Sequence, residues 1–171
     1  EGEDEKFTAA TAETLFKEGI SGRPLRVKDK SRLRYALYRA TKSEKILRWV
    51  LALIPSHPEH IDAFCHFLSN YNRNKRIVRT IEGILDKGMP YPYARGELWH
   101  IVARIADIGY LKARRPLALK EYKKASKDIT HRWGLLHFLL RCEKEGVGRI
   151  SARLRTEHEL IQMLLVHNLP E

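Results

Sequence analysis

No run of apolar residues in this sequence approaches the roughly 20 needed to cross a bilayer as a helix. Cysteine is nearly absent, with Cys65 and Cys142 the two present, both in apolar segments. That usage fits buried free thiols in a reducing compartment; a single bridge between them is the alternative, and a disulfide framework is excluded. The first residues, EGEDEK, hold no apolar core of a secretory signal. Alternating apolar–polar runs of useful length are missing, so no strand is expected. Also missing are a GxSxG elbow, a P-loop, a Gly-rich dinucleotide turn and an Asp-Asp pair able to hold two Mg²⁺ ions. Catalysis by this chain alone is therefore not expected, nor is a cofactor or a small-molecule substrate. The location expected is cytoplasmic.

Positive charge, in contrast, is abundant. The 171 residues carry 32 Lys and Arg against 21 Asp and Glu, a net charge of +11. Such a balance favours polyanionic partners and speeds encounter with them. The charge is uneven. Residues 1–18 are net −4, from six acids and two lysines, whereas 22–48 are net +8, from ten Lys and Arg against two acids. The division expected is an acidic-then-basic N-terminal arm over 1–30 and a helical repeat domain over 31–171. Because the first residue is Glu1 rather than Met, the chain is expected to be a piece of a longer protein.

Apolar spacing is helical almost throughout. Leu33, Ala36, Leu37 and Ala40 form one stripe, and Ile46, Leu47, Val50, Leu51 and Ile54 a second behind Ser43 as N-cap. PSHP ends that helix and starts the next. Gly88 suits a helix C-terminus, Pro116 the first turn of a helix, and WGLLHFLL a helix buried almost all round. The helices fall into pairs: 31–41 with 43–54, 58–70 with 74–87, 93–108 with 114–127, and 130–145 with 149–168. Pair starts lie roughly 27, 35 and 37 residues apart. The fold class is all-α, a stack of about four antiparallel helical hairpins, HEAT-like, with an irregular helical bundle as the alternative.

Three constellations bear on chemistry. His57, His60, Asp62, Cys65 and His66 cluster within ten residues, but no second CxxC or HxxxH completes a ligand set, so no metal is expected. RGELWH, RWGLLH and RLRTEH resemble the Arg-x4–6-His motif of all-α HEPN ribonucleases, which sets a cation and a general acid/base at one phosphate. A chain this rich in Arg and His yields two or three such spacings by chance, so an RNase is a lesser alternative.

The third is GRPLRVKDKSRLRYALYRATKSEKILR. On a helix from about Ser31, Arg32, Tyr35, Arg39 and Lys42 share an outer stripe, flanked by Arg34 and Tyr38. Cations beside aromatic rings suit nucleic acid, since charge meets phosphate and a ring stacks on an unpaired base. The competing reading is a solvated face whose tyrosines pack on the next helix. A second cluster, Arg73, Lys75, Arg76 and Arg79, begins a helix, where backbone N–H groups favour an anion. A third holds Lys112, Arg114, Arg115, Lys120, Lys123 and Lys124. In a stack of hairpins, the three clusters would line one edge. The residues expected to contact RNA or single-stranded DNA are Arg32, Arg34, Tyr35, Arg39, Lys42, Arg76 and Arg79. A protein–protein scaffold with no nucleic-acid contact is the rival reading.

The run LRYALYRATKSEKILRWVLALIPSHPEHIDAFCHFLSNY resembles the start of the helical domain that follows the polymerase in defence-associated bacterial reverse transcriptases. The shared features are a basic LxxALxRA helix, a helix ending before a proline, and an xxIxxFLxxY helix. MPYPYARGELWHIVARI is similar to the following repeat, where a Tyr-containing segment opens a Trp-bearing helix. The likeness runs over about residues 31–168 as an apolar pattern. It implies a HEAT-like fold, a role in antiviral defence, and a domain that grips nucleic acid or assembles a polymerase of the same polypeptide. The polymerase's Tyr-x-Asp-Asp motif is absent, so the resemblance extends to the appended domain only.

Overall fold

A computed structural model describes residues 33–35, 37–38, 42–125 and 127–167. The expected arm over 1–30 lies outside these residues. Among the described residues every regular element is helical and none is a strand. The chain divides into two compact units, Glu1–Tyr71 and Asn72–Glu171.

In the first unit, residues 33–35 and 37–38 are helical. They are followed by α1 (Glu44–Leu53), a 3-10 turn (Pro58–His60) and α2 (Ile61–Leu68). Ser43 caps α1, its hydroxyl accepting from the Ile46 N–H at 3.3 Å. Leu33, Leu37, Ile46, Leu47, Val50, Ile61, Phe64 and Phe67 are buried and make up its core.

The second unit holds α3 (Lys75–Lys87), α4 (Pro92–Ile105), α5 (Ile108–Lys124), α6 (Ile129–Lys144) and α7 (Ala152–His167). Its boundaries are set by local chemistry. Asn74, Asp107 and Asp128 each accept backbone N–H groups of the following first turn. Gly88, at φ 86°, takes the left-handed conformation that ends α3. After α6, the Gly146 N–H donates to the Glu143 carbonyl and the Val147 N–H to that of Cys142, with Gly146 at φ 73°. That pattern is a Schellman ending. Pro116 does not start a helix, as its ring geometry suggested. It sits inside α5, because Asp107 caps the chain nine residues earlier. Pro116 lies on the exposed side, where water replaces the lost backbone partner.

Buried α6 is the hub of the unit and packs against α4, α5 and α7. The tightest approach is α4 to α6. A Cβ on Gly134 would stand 2.0 Å from the Gly96 carbonyl oxygen, and one on Gly96 2.3 Å from that of Thr130. Bare glycine on both sides lets the two backbones touch. One turn on, Trp99 meets Phe138 edge to face at 5.0 Å, and His100 meets His137 at 4.6 Å. Because contacts advance together along both helices, α4 and α6 run parallel. The expected hairpin of 93–108 with 114–127 is therefore not the dominant pairing. Helix α4 prefers the next helix but one, and the side chains of Arg95 and Trp99 bridge it to α5. Among the described residues, no helix is long and apolar enough to cross a membrane.

Candidate nucleic-acid interface

The basic stripe of the first unit keeps its rings outside. Leu33 and Leu37 are buried, whereas Tyr35 and Tyr38 are 60% and 63% exposed. Neither tyrosine packs into a neighbouring helix, as the competing reading required. Arg34 and Lys42 are also exposed. The Arg34 guanidinium donates to Asp62 at 2.7 Å, in a pair whose side chains are 60% and 42% exposed. Further along, the Lys45 ammonium sits 4.9 Å from the centre of the Trp49 ring. Arg32 and Arg39 lie outside the described residues.

In the second unit, Arg76 and Arg79 are exposed on α3. The backbone amides proposed to greet an anion there are already engaged. The Asn74 side-chain oxygen Oδ1 accepts from the Arg76 and Ile77 N–H groups at 3.1 and 3.2 Å. Arg79 instead lines a cleft of about 250 Å³ with Arg73, Lys75, Glu82, Asp107 and Tyr110, so both charge signs face it. The third cluster is thinner than its count suggests. Arg114 holds Glu82 at 3.0 Å and Asp86 at 2.8 Å, both on α3. Arg115 donates to the Arg149 carbonyl at 2.8 Å. Lys112, Lys120, Lys123 and Lys124 remain exposed. Between the second and third clusters, acids thus neutralise the surface.

An open cleft of about 810 Å³, absent from the sequence reading, lies by the α6–α7 loop and is lined in part by Lys144, Arg149 and Arg155. Its carboxylate, Glu143, accepts from the Ile150 N–H at 3.1 Å and from Arg155 at 2.7 Å.

The histidine-rich segment of the first unit disperses. Asp62 pairs with Arg34, His60 and Cys65 are buried, and His66 is exposed. Among the described residues, no group of His, Cys, Asp and Glu presents the donors of a metal site.

In two of the three Arg-x4-His segments the arginine is hydrogen-bonded to a carboxylate. Arg95 grips Glu121 with two bonds, of 2.5 and 2.6 Å, and its remaining nitrogen donates to the Leu85 carbonyl. Trp99 and His131 donate to the same carboxylate at 2.9 and 2.8 Å. Burial works to raise the Glu121 carboxyl, but those hydrogen bonds and the Arg95 charge hold it down at about 2. Arg132 likewise donates to Glu157, while its guanidinium covers the Tyr122 ring at 4.6 Å. The Tyr122 hydroxyl also donates to Glu157, and burial and that bond push its proton loss up to about 12. A nuclease needs arginine and histidine at one phosphate; here Arg95 and Arg132 are committed to carboxylates.

The histidines themselves converge. His100 of α4 and His137 of α6 lie 4.6 Å apart between ring centres, and His137 and His158 of α7 lie 5.8 Å apart. Trp133 contacts all three, at 4.4, 5.5 and 6.5 Å. Burial lowers His137 to about 4, helped by the nearby His100, His158, Arg104 and Arg141. Sequence reasoning missed this group, although one signal was present. HIVAR and HFLLR repeat His-x3-Arg 37 residues apart, the separation that brings α4 and α6 side by side.

No protein-family model, curated protein or solved structure matches the chain.

Proposed function

We propose that this chain is a non-catalytic all-helical domain that binds RNA or single-stranded DNA through exposed cations and tyrosines. The observation that carries this reading is the pair Tyr35 and Tyr38, held out in solvent beside Arg34 by a helical segment anchored on buried Leu33 and Leu37. Two exposed rings next to cations offer stacking for unpaired bases and charge for phosphates, a combination that duplex recognition does not need. Arg76 and Arg79 add phosphate contacts from the second unit. The resemblance to helical domains appended to defence-associated reverse transcriptases supplies a setting, with a polymerase domain of the same polypeptide as partner and the helices stacked in HEAT-like fashion. A cytoplasmic location agrees with that setting.

The test is a salt titration of binding to an unstructured oligonucleotide. Affinity should fall log-linearly with salt, and Arg76→Glu with Arg79→Glu should weaken binding at least tenfold and flatten the slope. Tyr35→Ala with Tyr38→Ala should cost about 1–3 kcal/mol per stacked base and leave the slope unchanged. No binding at about 100 mM salt would end this reading.

A second reading has an observation of its own. Leu160, Met163, Leu164 and Val166 are each about half exposed on α7. Such an apolar strip suits a protein partner, in which case the chain is a scaffold and the oligonucleotide stays free.

A further inference from the structure

We propose that His100, His137, His158 and Trp133, flanked by Arg104 and Arg141, form a binding site for a phosphomonoester dianion, separate from the basic faces above.

Parallel packing of α4 on α6 places like beside like. His100 stands by His137, and one turn further each helix presents an arginine, Arg104 and Arg141. Helix α7 adds His158 from the third side. Both arginines lie close enough to His137 to act on its charge. Arg104 is exposed, and the three imidazoles, Trp133 and Arg141 are buried or half-buried beside it.

A cluster that served packing alone would satisfy its polar atoms. This one leaves several buried without a hydrogen-bond partner: Trp133 Nε1, Arg141 Nε and His158 Nε2. His158 is only 8% exposed. Indole and guanidinium nitrogens only donate, and an imidazole nitrogen donates when it carries the proton. Three such groups, one of them on Arg141, with the Arg104 charge beside them call for an acceptor-rich anion, not a cation. Three carboxylates lie against members of the cluster. Glu97 is 3.9 Å from His100, Glu145 holds the outer nitrogen of Arg141 at 2.7 Å, and Glu159 acts on His158.

A phosphomonoester fits best, because it offers three acceptor oxygens and close to two negative charges near neutral pH, with a second pKa of about 6. A bound dianion offsets the burial that chiefly disfavours charge on His137 and His158, so binding should take up a proton there. The group is carried by a free phosphate, a mononucleotide, or the 5′ end of an oligonucleotide.

The experiment follows the histidine Cε1–H resonances of the whole chain by NMR. His100, His137 and His158 are assigned through single Gln substitutions. Inorganic phosphate, a 5′-mononucleotide, and 5′-phosphorylated and 5′-hydroxyl tetranucleotides are titrated at about pH 6 and about pH 8. Phosphorylated titrants should move these three resonances and raise the His137 midpoint by about a unit or more. Arg104→Gln with Arg141→Gln, on half-exposed or exposed positions, should lower that affinity at least tenfold with the thermal melt unchanged. Arg76→Glu with Arg79→Glu should leave it intact, which separates this site from the basic faces. Equal response to phosphate and mononucleotide assigns the free anion as sufficient ligand. Response to the 5′-phosphorylated oligonucleotide alone assigns a nucleic-acid end. Silent resonances, equal response to the 5′-hydroxyl oligonucleotide, or unchanged affinity in the double Arg variant would each overturn the proposal.

Discussion

Arg34 and Arg95 each hold a carboxylate at short range, and the two pairs lead opposite lives. Arg34 and Asp62 meet in solvent, with side chains 60% and 42% exposed. Arg95 and Glu121 meet at 18% and 15% exposure, with Trp99 and His131 closing on the same oxygen. In water, the first pair gains little and exchanges its partner readily, so Arg34 stays available to a phosphate. Out of water, the second pair holds α5 to α4 and α6, and neither member is free to leave. Exposure, not the presence of arginine, decides which cations of this basic chain can bind a ligand.

The largest expected effect comes from breaking the buried pair. Glu121→Ala strands Arg95, Trp99 and His131 and should destabilise the second unit by about 3–5 kcal/mol in urea unfolding. Replacing Arg95 and Glu121 together by Leu and Met should recover most of that loss. A double variant as unstable as Glu121→Ala would show that the charges themselves, rather than their burial, hold the helices.

Acid should separate the buried groups next. His137 is neutral in the fold, with its midpoint lowered to about 4 from 6.5. The unfolded chain therefore binds the extra proton between those values, and stability falls as pH drops through that window. The loss reaches about 3 kcal/mol by pH 4, with His158, lowered chiefly by burial, adding in the same direction. Glu121, held at about 2 against a usual 4.5, contributes stability that is present above 4.5 and lost only as pH falls toward 2. Thermal melts should thus weaken between pH 6.5 and 4, and His137→Gln should flatten that stretch. Melting temperatures constant across the window would sink the assignment of His137 as a neutral packed ring.

The smallest effect belongs to the exposed pair. Asp62→Ala should change stability by less than about 1 kcal/mol. Removing that acid should leave oligonucleotide binding equal or stronger, because Arg34 loses its competitor. Weaker binding would mean that Asp62 positions Arg34 for its ligand.

Much of the fold was legible before any coordinates. Ser43, Gly88 and the WGLLHFLL helix stand where local rules put them, because capping and burial stripes depend on neighbours a turn away. Pro116 was misplaced, since a proline on the wet side of a helix is tolerated and Asp107 offered a better start. The α4–α6 contact was not legible from short loops. It depends on Gly96 and Gly134 meeting across 38 residues of chain, a coincidence that no local window contains. The same contact brings His100 and His137 together.

Composition and periodicity alone determined that this chain is helical, strongly basic and without the motifs of the common enzyme classes, because those properties sum over residues or repeat within a turn. Tertiary structure decided which arginines are locked on carboxylates, that Tyr35 and Tyr38 face water, and that three histidines from three helices share one place. Each of those outcomes depends on which distant groups displace solvent from one another.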